Sequence, residues 1–159
     1  FFPGVSTRTL GYNGDYLGPT IRVRQGDSVL IRIANALKDP TTVHWHGADV
    51  PAESDGGPHQ VIEPGQIREA PFVIRQEAAT LWYHPHFMGT TAEQVYLGLA
   101  GLLIIDGGNP GGPDLPKMPE KYGCRVRFGD ETEPVVVVVV DEETLVTNNS
   151  SVPTLSTAF

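Results

Sequence analysis

Cysteine is almost absent: the chain has one, Cys124. A single thiol excludes an internal disulfide framework and any zinc or iron–sulfur site built from several cysteines. Basic residues are scarce, with 11 Lys and Arg against 19 Asp and Glu and a formal net charge of −8. A nucleic-acid binder needs a basic face to neutralise phosphates, so no nucleic-acid partner is expected. No apolar run approaches the roughly 20 residues of a membrane-crossing helix, and no membrane span is expected. No signal peptide opens the sequence, which therefore reads as a cytosolic protein, a processed mature form or a trimmed one. Long helices are excluded as well, because 18 Gly and 14 Pro are spread over 159 residues and both interrupt helix interiors.

What remains is a β pattern. Hydrophobic residues make up 40% of the chain, enough for a packed core. Ile21-Arg22-Val23-Arg24 alternates apolar and polar, Gln25-Gly26-Asp27 signals a turn, and Val29-Leu30-Ile31-Arg32-Ile33 follows as a second strand. Thr42–His46, Ala70–Ile74, Thr80–His84 and Leu102–Asp106 read as further strands, with a Gly-, Pro- and acid-rich loop over 51–64. Short strands with such frequent turn signals predict an antiparallel all-β sandwich or barrel. Thr91 to Leu99 lacks turn residues until Gly98 and reads as a helical turn or a short helix.

The composition shifts after residue 107. Gly107, Gly108, Gly111 and Gly112 mingle with Pro110, Pro113, Pro116 and Pro119, so 108–134 reads as a linker. Val135 to Val140 is a run of six valines, the mark of a strand buried on both faces. Its distance from the first set of strands predicts that 135–159 opens a second, truncated unit, with a polar, poorly ordered tail from Asn148. A valine strand without partners is an aggregation hazard.

The chemistry lies in the histidines. Four of the five form two His-x-His pairs, His44-Trp45-His46 and His84-Pro85-His86. Residues two apart in a strand share a face, so each pair points one way. If the two strands are neighbours, four imidazoles converge on one region. A lone strand histidine is ordinarily structural, but two such pairs in one small domain point to a metal site. Neutral imidazole suits copper, zinc, iron and nickel. With no Cys and no acidic residue inside either pair, copper or catalytic zinc fits better than magnesium or calcium. His59 lies in a Gly-Gly-Pro loop and is assigned no role. Trp45, Trp82 and Tyr83 read as packing aromatics. Met88 follows the second pair closely enough to be an axial copper ligand, but a packing methionine is the preferred reading.

The motifs around these pairs resemble one family. Tyr16-Leu17-Gly18-Pro19-Thr20-Ile21-Arg22-Val23, then Gly26-Asp27, resembles the opening of a multicopper oxidase first domain. His44-Trp45-His46-Gly47 and Trp82-Tyr83-His84-Pro85-His86 are similar to that family's first two copper motifs. Gln94-Val95-Tyr96 and Gly98-Leu99-Ala100-Gly101-Leu102 continue the likeness to Asp106. Val50–Pro58 is most similar to the laccase-like bacterial copper-efflux oxidase and bilirubin-oxidase branch.

The resemblance implies a cupredoxin-like Greek-key β-sandwich over 1–107, and an oxidoreductase parent. In such a parent, phenols, aromatic amines or cuprous ion give up single electrons and dioxygen is reduced to water at a three-copper cluster. By the same resemblance His44 binds the type 2 copper and His46 one type 3 copper. His84 and His86 then serve one type 3 ion each. Asp55, in the Asp-Gly-Gly segment, becomes the acid that helps deliver protons; read from sequence alone it is an exposed loop carboxylate. The family's later His-x-x-His-x-His and His-Cys-His motifs do not occur here, and Cys124 lies in no histidine context. The type 1 site is therefore absent, and half of the cluster ligands must come from the remaining cupredoxin domains of the parent or from a second subunit. The chain alone is expected to be inactive. The resemblance also implies the periplasm or the extracellular space. A non-catalytic copper-binding module, a fragment of a two-domain trimeric laccase and a histidine–zinc hydrolase are the competing readings. The family's copper-free cell-division members lack these histidines.

Overall fold

The computed structural model describes residues 4, 6–107, 123–125 and 135–146. Its strands are β1 (Ser6–Tyr12), β2 (Thr20–Arg24), β3 (Ser28–Asn35), β4 (His44–His46), β5 (Ile67–Val73), β6 (Ala79–His84), β7 (Gly101–Asp106), β8 (Gly123–Arg125) and β9 (Val135–Val146). A short helix, α1 (Thr91–Leu97), links β6 to β7. One sheet runs β1-β9-β3-β5 and the other β4-β6-β7-β2-β8. From β1 to β6 the chain passes from one sheet to the other at each step, which is how an all-β Greek-key sandwich is wound. The predicted fold class is the one that forms.

Alternation explains the layers. In β3 the residues Val29, Ile31, Ile33 and Asn35 turn inward. Their partners on β5 bring Phe72 opposite Val29 and Ala70 opposite Ile31, so both strands present apolar side chains to the same side. Ile21, Val23, Leu103 and Ile105 do the same from the second sheet, and all belong to one buried cluster. Trp45 of β4 meets Phe72 across the layers with ring centroids 5.8 Å apart.

Two features depart from the sequence reading. Not every pair is antiparallel: β2 lies parallel to both β7 and β8, and β3 parallel to β9. These strands are distant in sequence, and their direction follows from crossovers between the sheets rather than from local turns. Second, β1 and β8 form where no strand is predicted. Val135–Val146 pairs within the first sheet, antiparallel to β1 and parallel to β3. Val135–Val140 pair with β3 and Val140–Val146 with β1, so the two neighbours meet at Val140, which is fully buried. The rest of the predicted linker, 108–122 and 126–134, and the tail from 147 lie outside the described residues.

Candidate metal centre

Strand β4 is three residues long and pairs antiparallel with β6, setting His44 opposite His84, Trp45 opposite Tyr83 and His46 opposite Trp82. Trp45 and Tyr83 both have zero exposure. They anchor the strands against rotation: their rings lie 5.7 Å apart, the Trp45 indole N–H donates to the Ser54 carbonyl at 3.0 Å, and the Tyr83 hydroxyl donates to the Pro19 carbonyl at 2.7 Å. With the odd positions locked inward, His44, His46, Trp82 and His84 must emerge on the opposite face. The β6 ladder stops at His84, where Pro85 offers no N–H. His86 therefore lies past the strand end, not within an extended pair.

The four rings nevertheless gather. Centroid separations are 5.6 Å for His44–His46, 5.5 Å for His44–His84, 5.2 Å for His44–His86 and 5.3 Å for His46–His84. His84 and His86 lie 6.1 Å apart. One nitrogen each from His44, His46 and His84 falls within 4.8 Å of the others, and His86 stands just outside this tight group. The predicted convergence is thus observed, with His86 held by a different device from the other three.

Hydrogen bonds fix which nitrogens are free. His44 Nδ1 faces the Asp55 carbonyl at 3.0 Å and its carboxylate at 3.2 Å. The N–H therefore sits on Nδ1 and Nε2 keeps its lone pair. His84 Nδ1 donates to the Pro85 carbonyl at 2.7 Å, which frees its Nε2 in the same way. That Nε2 lies 3.0 Å from His46 Nδ1. Burial lowers the His84 pKa below 6.5, the Pro85 carbonyl pulls it back up, and the neighbouring His44, His46 and His86 add to the lowering. A neutral ring is the metal-ready form.

The donor set fits a first-row transition ion. Two imidazole nitrogens 3.0 Å apart can both reach one ion at bonds of about 2.0–2.1 Å. The far nitrogens of His44 and His84 are already committed to oxygen acceptors, which is how metal-binding imidazoles are held in orientation. Magnesium and calcium take oxygen ligands, so an all-imidazole group does not suit them.

Of the other predicted residues, Asp55 joins the centre as the partner of His44. Its loop lies so close to β4 that a Cβ on Gly56, at φ +74°, would collide with the Val43 carbonyl. His59 is exposed and outside the cluster, as expected. Met88 is 71% exposed and therefore does not pack in the core. Trp82, read as packing alone, stacks on His84 with centroids 4.0 Å apart and also touches His46 at 5.2 Å. Its place two residues before His84 was the available signal. Thr42 and Gln94 carry no metal-site signal in the sequence, yet the Thr42 hydroxyl accepts the His86 main-chain N–H at 2.7 Å, and Gln94 is buried on α1. Among the described residues, no helix is long and apolar enough to cross a membrane.

Comparison with known proteins agrees with this geometry. The family model described as multicopper oxidase matches residues 2–110. The multicopper oxidase mco of Staphylococcus aureus is 53% identical over 106 residues, covering 67% of this chain and 24% of that protein. The cell division protein FtsP of Escherichia coli is 41% identical over 123 residues, covering 77% of this chain and 26% of that protein. The solved structure of a laccase-like multi-copper oxidase, CueO, from Ochrobactrum sp. superposes with a TM-score of 0.60 at 38% identity, over 64% of this chain and 26% of that one. The chain spans about a quarter of the length of these curated relatives.

Proposed function

Because the chain belongs to the multicopper oxidase family, we propose that it is the amino-terminal part of a copper-dependent oxidase. The parent couples one-electron oxidation of phenols, aromatic amines or cuprous ion to the four-electron reduction of dioxygen to water. The observation that carries this reading is the 3.0 Å approach of His46 Nδ1 to His84 Nε2, with His44 and His86 beside them.

His44 would hold the type 2 copper through Nε2. His46 and His84 would share one type 3 ion, and His86 would serve the other. Bound copper supplies the one-electron redox steps that let several electrons reach a single dioxygen. The chain's own part is to hold and orient. Imidazole is neutral, so it adds no charge that would favour one oxidation state outright. Main-chain carbonyls of Asp55 and Pro85 keep two rings in one tautomer. The Asp55 carboxylate, beside the His44 N–H, is placed to pass protons toward a reaction that consumes them.

The remaining ligands and the type 1 site would come from other cupredoxin domains of the parent or from a second subunit, so turnover needs more than these residues. The parent works in the periplasm or outside the cell. Oxygen uptake by the copper-loaded full-length protein with a phenolic substrate tests the proposal; copper bound without uptake would overturn it.

A second reading is a copper-binding or structural module without turnover, since the chain is also similar to a cell division protein, FtsP. The two intact His-x-His pairs weigh against it. Replacing His44 and His84 by Ala would leave the parent's function intact under that reading and abolish it under the first.

A further inference from the structure

Thr41 and Thr42 have zero exposure, and Gln94 is 5% exposed. Polar side chains in such places are unfavourable unless they hydrogen-bond, and valine or leucine would bury more apolar surface. Three of the side-chain bonds they make join the two histidine-bearing segments. The Thr42 hydroxyl accepts the His86 N–H at 2.7 Å. The Thr41 hydroxyl donates to the Gln94 side-chain carbonyl at 2.9 Å, and the Gln94 amide donates to the Pro40 carbonyl at 2.9 Å. Gln94 stands on α1, which begins where the loop after His86 ends, and the Gln94 N–H donates to the Thr90 carbonyl at 2.9 Å. The stretch 40–42, which leads into His44, thus grips the His86 loop at both ends. His44, His46 and His84 have a strand ladder to place them, whereas His86 lies past the end of β6.

We propose that Thr42 and Gln94 are positioning residues that set His86 against His44, through hydrogen bonds from the His44 strand to the loop after β6. This rests on the copper reading given above. The Thr42 hydroxyl stands in for the ladder bond that Pro85 interrupts. Gln94 keeps the far end of the loop at the same height. The 5.2 Å, nearly perpendicular approach of the His86 ring to His44 is the outcome.

The test uses the full-length copper-loaded protein with Thr42→Val, Thr42→Ser and Gln94→Met. Copper retention is measured against a chelator, together with the electron paramagnetic resonance spectrum and the melting temperature. T42V keeps the shape but loses the acceptor, and is expected to release copper about tenfold more readily with an altered spectrum. T42S is expected to match the parent, and Q94M to shift in the same direction as T42V. A T42V protein that melts lower but retains copper with an unchanged spectrum would make the contact merely structural and overturn the proposal. So would a T42S protein as impaired as T42V. Should T42V fail to fold, Q94M decides, and unaltered copper retention in folded Q94M overturns it. Failure of the unsubstituted protein to bind copper at all would instead remove the metal reading itself, and this proposal with it.

Discussion

His44 Nδ1 faces two oxygens of the same residue, the Asp55 carbonyl at 3.0 Å and the Asp55 carboxylate at 3.2 Å. The carbonyl ties the ring to the main chain, and the carboxylate adds a charge beside the same N–H. Asp55→Asn keeps the carbonyl and removes the charge. Copper content of the full-length protein should be unchanged, while oxygen uptake falls about a hundredfold. Equal loss of copper and uptake would show that the carboxylate orients rather than relays.

Gly56→Ala makes the complementary separation. Its φ of +74° and the Val43 carbonyl in its path leave no room for a Cβ. The loop must move, and the Asp55 carbonyl moves with it. This variant should lose copper as well as uptake, and should cost more than about 1 kcal/mol in denaturant unfolding.

Ligand removal should follow the geometry. His46 and His84 present nitrogens to one point, so H46A and H84A should each lower copper by about one ion per full-length chain. H59A should leave copper content unchanged, because His59 lies on the surface away from the cluster. Metal analysis by mass spectrometry checks this. An H59A loss equal to that of H84A would place the site elsewhere, and zinc without copper in the unsubstituted protein would point to a hydrolytic centre.

Much of the centre was legible because strand alternation is a local rule. His44, His46 and His84 follow from it, and so does the burial of Trp45 and Tyr83 between them. His86 was reached by the same rule, although the structure places it by another route. Other features depend on contacts that no local window contains. Ser6–Tyr12 starts with polar residues and carries Gly11, so its apolar contrast is weak; β9 beside it completes the strand. The valine run advertised a buried strand but not its neighbours, and only the pairing with β1 and β3 shows where it lies. Thr42 looks like an ordinary strand residue until His86, 44 positions later, returns to it. The double contact of Asp55 with His44 arises from a loop whose course turns on Gly56.

Trp45 should be the chief mechanical support of the centre. It is fully buried between Phe72 and Tyr83, and its indole N–H is bonded to Ser54. Trp45→Ala should cost about 3–5 kcal/mol by chemical denaturation. Trp82 is only partly buried, and Trp82→Leu removes its stacking on His84 while keeping apolar bulk. That change should cost about 0.5–1.5 kcal/mol. A larger loss for Trp82 than for Trp45 would contradict the assignment of the inner and outer faces.

The metal-free protein should weaken in acid through His84. Burial is the main cause holding its pKa below 6.5, and the three neighbouring histidines add to it. Between its folded and unfolded values the unfolded chain binds a proton that the folded chain refuses. Stability therefore rises with pH across that window. The neutral ring's full contribution is present above 6.5 and is lost progressively as pH falls through 6.5 toward the lowered folded value. Below the folded value both states are protonated and the loss stops growing. Denaturation of metal-free protein at pH about 7.5 and about 5.5 should show the drop, and His84→Gln should flatten it, since glutamine takes up no proton. The lowered pKa also keeps the ring available to copper in mildly acidic solution, where an ordinary histidine would be half protonated. An unchanged pH slope in H84Q would assign the acid sensitivity to another group.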